Sequence, residues 1–115
     1  MKKVALTLMA LLAFVMQFCS SSKKASRKKE VAKMTYIGNI QPIVNTSCSP
    51  CHIPPKGNKK PFNTYTAVKS DIDDIIAAIS KNPGEKGFMP MRHPKLSADT
   101  INTFVQWRTD GLLEQ

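Results

Sequence analysis

Cys48-Ser49-Pro50-Cys51-His52 sets two thiols three positions apart and follows them at once with an imidazole. Thiols in this arrangement can add to the two vinyl groups of a porphyrin, and the adjacent histidine then ligates the iron from one face. Other chemistry is open to the same two cysteines: a zinc site, a dithiol redox centre or a plain disulfide. A closed zinc site needs four ligands. Outside the pentapeptide the chain has only Cys19 and His93 to offer, and Cys19 follows directly on an export-like segment. A thioredoxin-like dithiol needs a βαβ setting, of which the sequence pattern has no sign. Covalent attachment of haem is the chemistry that the spacing favours.

A second segment, Gly87-Phe88-Met89-Pro90-Met91-Arg92-His93-Pro94, carries three further donors. A thioether sulfur is a soft ligand suited to haem iron, and Met opposite His saturates the metal at six ligands. Pro90 biases Met89 towards extended backbone, which suits a loop that carries one side chain across a pocket. Met89 is therefore the expected distal ligand and Met91 its alternative. His93 is a third possibility, giving bis-histidine iron at a lower potential; its simpler role is a solvated loop histidine.

The elements that must position these donors come after an N-terminal stretch of another kind. Lys2 and Lys3 precede an apolar run from Val4 to Phe18, the pattern of a secretory signal, and shorter than the roughly 20 apolar residues of a membrane span. Residues 1–18 are thus expected to be a signal peptide and the chain to be exported to the periplasm or cell envelope. Cys19 follows the run as the lipidated cysteine of a bacterial lipoprotein does. Phe18 and Gln17 depart from that pattern, so cleavage near Ser20 to Ser22 competes with lipidation at Cys19.

Residues 19–33 hold Lys23, Lys24, Arg27, Lys28, Lys29 and Lys33 against Glu30 alone, and read as a solvated Ser/Lys-rich tether. Beside a lipid anchor, such a tether can also meet anionic headgroups. The full chain is 115 residues long with a formal charge of +9; loss of residues 1–18 removes Lys2 and Lys3 and lowers that by two. A basic surface favours acidic protein partners. Nucleic acid is a poor match, because the basic run lacks interleaved aromatics and the chain carries an export signal.

Residues 34–115 form one small expected domain, all-α, of about three to five short helices. A domain of this size buries a limited core and gains from a staple such as a covalently held cofactor. Ile37, Ile40 and Val44 recur at helical spacing and predict a short helix that ends at Cys48, with Pro42 forcing a late start or a kink. Phe62, Tyr65 and Val68 are placed to line a short helix over the pocket. Ser70 and Asp73 resemble a capping box ahead of the stripe Ile72, Ile75, Ile76 and Ile79, which Asn82-Pro83-Gly84 terminates. Ser97 is the expected N-cap of a last helix carrying Asp99, Ile101, Phe104, Val105 and Arg108, with Gly111 at its end. Trp107 is expected to pack the first helix against the last, and Leu112 to complete the apolar face. Asp71, Asp73 and Asp74 read as a solvated helix start.

Taken together, Cys48, Cys51 and His52, then Met89-Pro90 in a glycine-bearing loop, then Leu96-Ser97 opening a terminal helix with Trp107 and Gly111, resemble a small class I, monohaem c-type cytochrome. The resemblance covers most of residues 34–115. It implies a helical bundle wrapped around one haem c, bound covalently through Cys48 and Cys51, with His52 as proximal and Met89 as distal iron ligand. It also implies a one-electron carrier that serves redox protein partners, not an enzyme in its own right. The family often has Met-Pro-Pro where this chain has Met89-Pro90-Met91, which is what keeps Met91 in contention. Two other functions compete: a haem-based small-ligand sensor or weak peroxidase with a labile distal ligand, and a dithiol oxidoreductase cycling Cys48 and Cys51. No Ser/His/Asp constellation, phosphate-cradling glycine loop or paired-carboxylate site is visible.

Overall fold

The computed structural model describes residues 31–115. The expected signal peptide, Cys19 with its lipidation, and most of the tether lie outside these residues. A π-helical turn, Tyr36–Ile40, runs straight into helix α1, Gln41–Ser47. Helices α2 (Tyr65–Ser70), α3 (Ile72–Ser80) and α4 (Ala98–Thr109) follow, and no strand forms among the described residues. The all-α expectation therefore holds as four short helices around one core.

Pro42 decides how the first helix starts. Regular α geometry begins at Gln41, so Pro42 falls in the first turn, where its missing N–H is no loss. The turn before it is wider, with the Gln41 N–H bonded five residues back to the Tyr36 carbonyl. The wide turn corrects the expected register. Tyr36, four residues ahead of Ile40 and eight ahead of Val44, faces inward and is buried with them, while Ile37 is 47% exposed.

Ile72, Ile75 and Ile79 are buried on one stripe of α3, with Ile76 packed at its edge. The expected capping box does not form. Ser70 is the last residue of α2 and returns its hydroxyl to the Ala67 carbonyl (2.9 Å). Asp71 is the α3 N-cap, and its side chain makes no capping bond. Helix α2 is instead capped by Thr64, whose Oγ1 accepts from the Ala67 N–H, so Phe62 stays in the loop before it.

Ser97 caps α4 as expected, its Oγ accepting from the Thr100 N–H at 3.2 Å, an arrangement worth about 1 kcal/mol. Gly111 closes it at φ +97, and the Leu112 N–H reaches back to the Trp107 carbonyl (3.0 Å) in a Schellman turn. Arg108 leaves the apolar face to pair with Asp73 at 2.7 Å; both side chains are exposed, so the pair contributes roughly 0–1 kcal/mol.

Trp107 is fully buried and joins the first turn to the last helix. Its ring lies 6.0 Å from Tyr36 and 6.3 Å from Tyr65, and Tyr36 and Tyr65 meet edge-on at 5.7 Å. The Trp107 Nε1–H donates to the Leu113 carbonyl (2.8 Å), which also accepts from the Tyr36 N–H (2.8 Å). The Tyr65 hydroxyl donates to Leu112 O (2.8 Å). Tyr65 thus belongs to this aromatic seam, and α2 does not carry it over the pocket as expected.

Candidate functional site

Helix α1 delivers Cys48 to its C-terminal cap, where the Cys48 N–H closes on Val44 O at 3.0 Å. The motif then continues as a tight turn, with the His52 N–H bonded to Cys48 O at 3.0 Å. The following Pro- and Lys-rich loop folds back over this turn. The Lys59 N–H reaches Cys51 O (3.1 Å) and the Phe62 N–H reaches His52 O (2.8 Å). Gly57 makes that approach possible, because a Cβ there would collide with the Pro50 and Cys51 carbonyl oxygens.

His52 is oriented from two sides. Its Nδ1 lies 2.7 Å from the Lys60 carbonyl, and its ring stacks on Phe62 at 4.5 Å with an 8° tilt. A carbonyl only accepts, so Nδ1 carries a proton, and in the neutral ring Nε2 is the nitrogen with the lone pair. This is the tautomer of a metal-ligating histidine, fixed by a main-chain acceptor.

Cys48 and Cys51 are both free thiols and half-buried. Burial pushes the Cys48 thiol up to about 11, which keeps it protonated at neutral pH. Reactive dithiol cysteines are the opposite case, lowered by a helix N-terminus or a cation. Cys48 instead caps a helix C-terminus, where the dipole also disfavours a thiolate.

Cys48, Cys51, His52 and Met89 line one cavity of about 730 Å³. Its walls are largely apolar: Ile43 of α1, Ile75 and Ile79 of α3, Leu96, and Phe104 of α4. The volume lies in the range of cofactor sites, which are apolar with few polar groups. Met89 is tied to α3 through its N–H and the Ala78 carbonyl (3.1 Å), and its side chain packs against the core. Among the described residues no three His, Cys, Asp or Glu side chains converge on one point as an ion site. The donors of the motif are distributed along a cavity wall instead.

The structure separates the three distal candidates. Met89 is half-buried, whereas Met91, also at the cavity, is 73% exposed. His93 is exposed but not merely solvated: its Nε2–H donates to the Ser49 carbonyl at 2.9 Å, tying the methionine loop to the cysteine loop. Lys56, Lys59 and Arg92 also border the cavity. Sequence reasoning missed the Lys60 carbonyl facing His52; it expected Phe62 over the pocket, and Phe62 lines the cavity from the loop, its ring stacked on His52. A main-chain acceptor leaves no mark in a sequence. Gly57 within a proline-rich loop was the available signal that two backbones must meet there.

Comparison of the chain with protein-family models, curated proteins and solved structures gives no match. No helix among the described residues is long and apolar enough to cross a membrane.

Proposed function

We propose that this chain is an exported one-electron carrier of the class I c-type cytochrome kind, with one haem c. Cys48 and Cys51 hold the group through thioethers, His52 Nε2 is the proximal iron ligand and Met89 the distal one. The observation that carries the reading is the 2.7 Å approach of His52 Nδ1 to the Lys60 carbonyl. The Nδ1–H is committed to that carbonyl, which leaves Nε2 as a lone-pair donor on the wall of the cavity that the two thiols and Met89 also line.

The bound haem supplies the one-electron couple. The protein's own contribution is fixed geometry and an apolar setting. Phe62 and the Lys60 carbonyl hold His52 in one orientation, so oxidation and reduction need little rearrangement of the ligand. Apolar walls and a thioether ligand disfavour the added charge of the ferric state and favour a comparatively high potential. Lys56, Lys59 and Arg92 beside the cavity suit a redox partner with an acidic docking surface, whose approach they steer. A lipid at Cys19 would keep the carrier at the membrane surface.

Whole-protein mass spectrometry and a visible spectrum of the chain matured in a cell envelope with working attachment machinery test this. The expected result is one haem mass, a six-coordinate spectrum and thiols at Cys48 and Cys51 that resist alkylation after reduction. A colourless chain whose two thiols alkylate would refute it. A reduced spectrum that changes with carbon monoxide would favour the sensor or weak peroxidase over the carrier.

A further inference from the structure

We propose that Asp71 is a positioning residue for His52, acting through Lys60; the inference rests on His52 being the proximal ligand. Asp71 sits at the N-cap of α3, where a carboxylate ordinarily turns onto the helix N–H groups. Here it does not. Both carboxylate oxygens face the Lys60 ammonium, at 2.6 Å and 2.5 Å, and Ser70 Oγ lies 3.4 Å from one of them. The Asp71 side chain is 12% exposed, so this ion pair is shielded on one side, although Lys60 itself is 64% exposed.

The other end of Lys60 makes the connection. Its carbonyl is the acceptor for His52 Nδ1–H at 2.7 Å. Two residues on, Phe62 bonds the His52 carbonyl through its N–H and stacks on the imidazole. Lys60-Pro61-Phe62 is therefore a three-point cradle for His52. Asp71 pins its leading edge to the corner between α2 and α3. A cap that gives up its own helix bond to hold a loop lysine has a role in that loop. The cradle governs how strongly the imidazole is polarised, and a stronger acceptor at Nδ1–H makes a better donor at Nε2.

The test uses the holoprotein with Asp71→Asn, which keeps the side-chain shape, and separately Lys60→Met. Two quantities are read: exchange of the His52 Nδ1 proton by NMR in the reduced state, and the midpoint potential. Positioning requires both variants to exchange that proton faster, by about tenfold for one loosened hydrogen bond. It also requires both potentials to rise, since a weaker acceptor leaves the imidazole less electron-rich. Bare charge removal predicts something else: loss of an anion and loss of a cation shift the potential in opposite directions and leave exchange alone. Unchanged exchange, or opposite shifts, overturns the proposal. The swapped pair, Lys60→Asp with Asp71→Lys, should bring both readings back towards the wild-type values. Wild-type mass judges the underlying reading separately. A chain that matures without the haem mass refutes the proposed function, while the same exchange measurement on the three chains still judges the cradle.

Discussion

The aromatic seam and the cavity share helix α4, which the seam joins to the Tyr36 turn and α2 and the cavity to α1 and α3, yet they use their atoms in opposite ways. At the seam, Tyr36, Tyr65 and Trp107 pack against one another, and the Tyr65 hydroxyl, the Trp107 indole N–H and the Tyr36 amide bond to the Leu112 and Leu113 carbonyls. The chain satisfies itself there. At the cavity, apolar walls face donors whose reactive ends have no hydrogen bond among the described residues: two thiols, a histidine Nε2 and a thioether. One region is where the sequence makes a fold, and the other is where it presents chemistry. The contrast follows from size, because a domain this small closes one tight core and leaves further apolar surface lining a cavity.

The largest expected effect breaks the seam. Trp107→Ala should cost about 3–5 kcal/mol, most of the stability of a domain this small, since it empties the centre and leaves Leu113 O without its indole donor. Ile43→Ala, on the half-buried cavity wall, should cost under about 2 kcal/mol. Denaturant unfolding followed by far-UV circular dichroism compares the two. Equal losses would mean that the two regions are not energetically distinct.

Gly57→Ala comes next and strikes the cavity side. Its Cβ would overlap two main-chain oxygens of the motif turn, so the loop must move and take the Lys60 carbonyl off His52. A loss of about 1–3 kcal/mol is expected, with a lower fraction of chains carrying the haem mass. Gly84 is the contrast. A Cβ there meets nothing, and only its φ of +93 penalises alanine, by about 1–2 kcal/mol and without change in haem content. Haem content that falls equally in both would sever Gly57 from the site.

Within the cavity, Met89→Ala should open the distal position while Met91→Ala leaves it closed, because Met89 is half-buried and tied to α3 and Met91 is exposed. Carbon monoxide binding to the reduced protein is the readout: a large spectral change in the first variant and almost none in the second. The reverse pattern would assign the ligand to Met91.

The two regions were not equally legible in the sequence. Motif and stripe residues identify themselves by type and period, so Cys48, Cys51, His52, the α3 isoleucines and the Ser97 and Gly111 caps all lie where their spacing put them. What escaped were main-chain effects. The π-helical turn moved the inward position from Ile37 to Tyr36, and no residue type announces such a turn. The Ser70 capping box gave way because α2 runs through Ser70, whose hydroxyl returns to Ala67, and Asp71, which takes the N-cap, spends its carboxylate on a loop lysine eleven residues upstream. His93 reaches Ser49, forty-four positions away, a contact that only the folded chain creates.

The smallest effect returns to the seam side, where the chain's described start meets the end of α4. The Met34 N–H donates to Asp110 Oδ2 at 2.7 Å, and Gln106 Nε2 donates to the other oxygen at 2.8 Å. These bonds hold the Asp110 carboxyl below the usual carboxylate range, the Met34 amide first, and Lys33 adds to the effect. A carboxyl lowered by folding stabilises the native state above its unfolded pKa, about 3.9, and that contribution fades as the pH falls through the folded value. Wild-type stability should therefore decline more steeply below about pH 4 than that of Asp110→Asn, whose amide oxygen still accepts from Met34 but does not titrate. Thermal midpoints of both chains across the acid range measure the slope difference. Because Asp110 is only half-buried the difference should be slight and confined to that window, and parallel curves would show that the bond needs an acceptor there but not a charge.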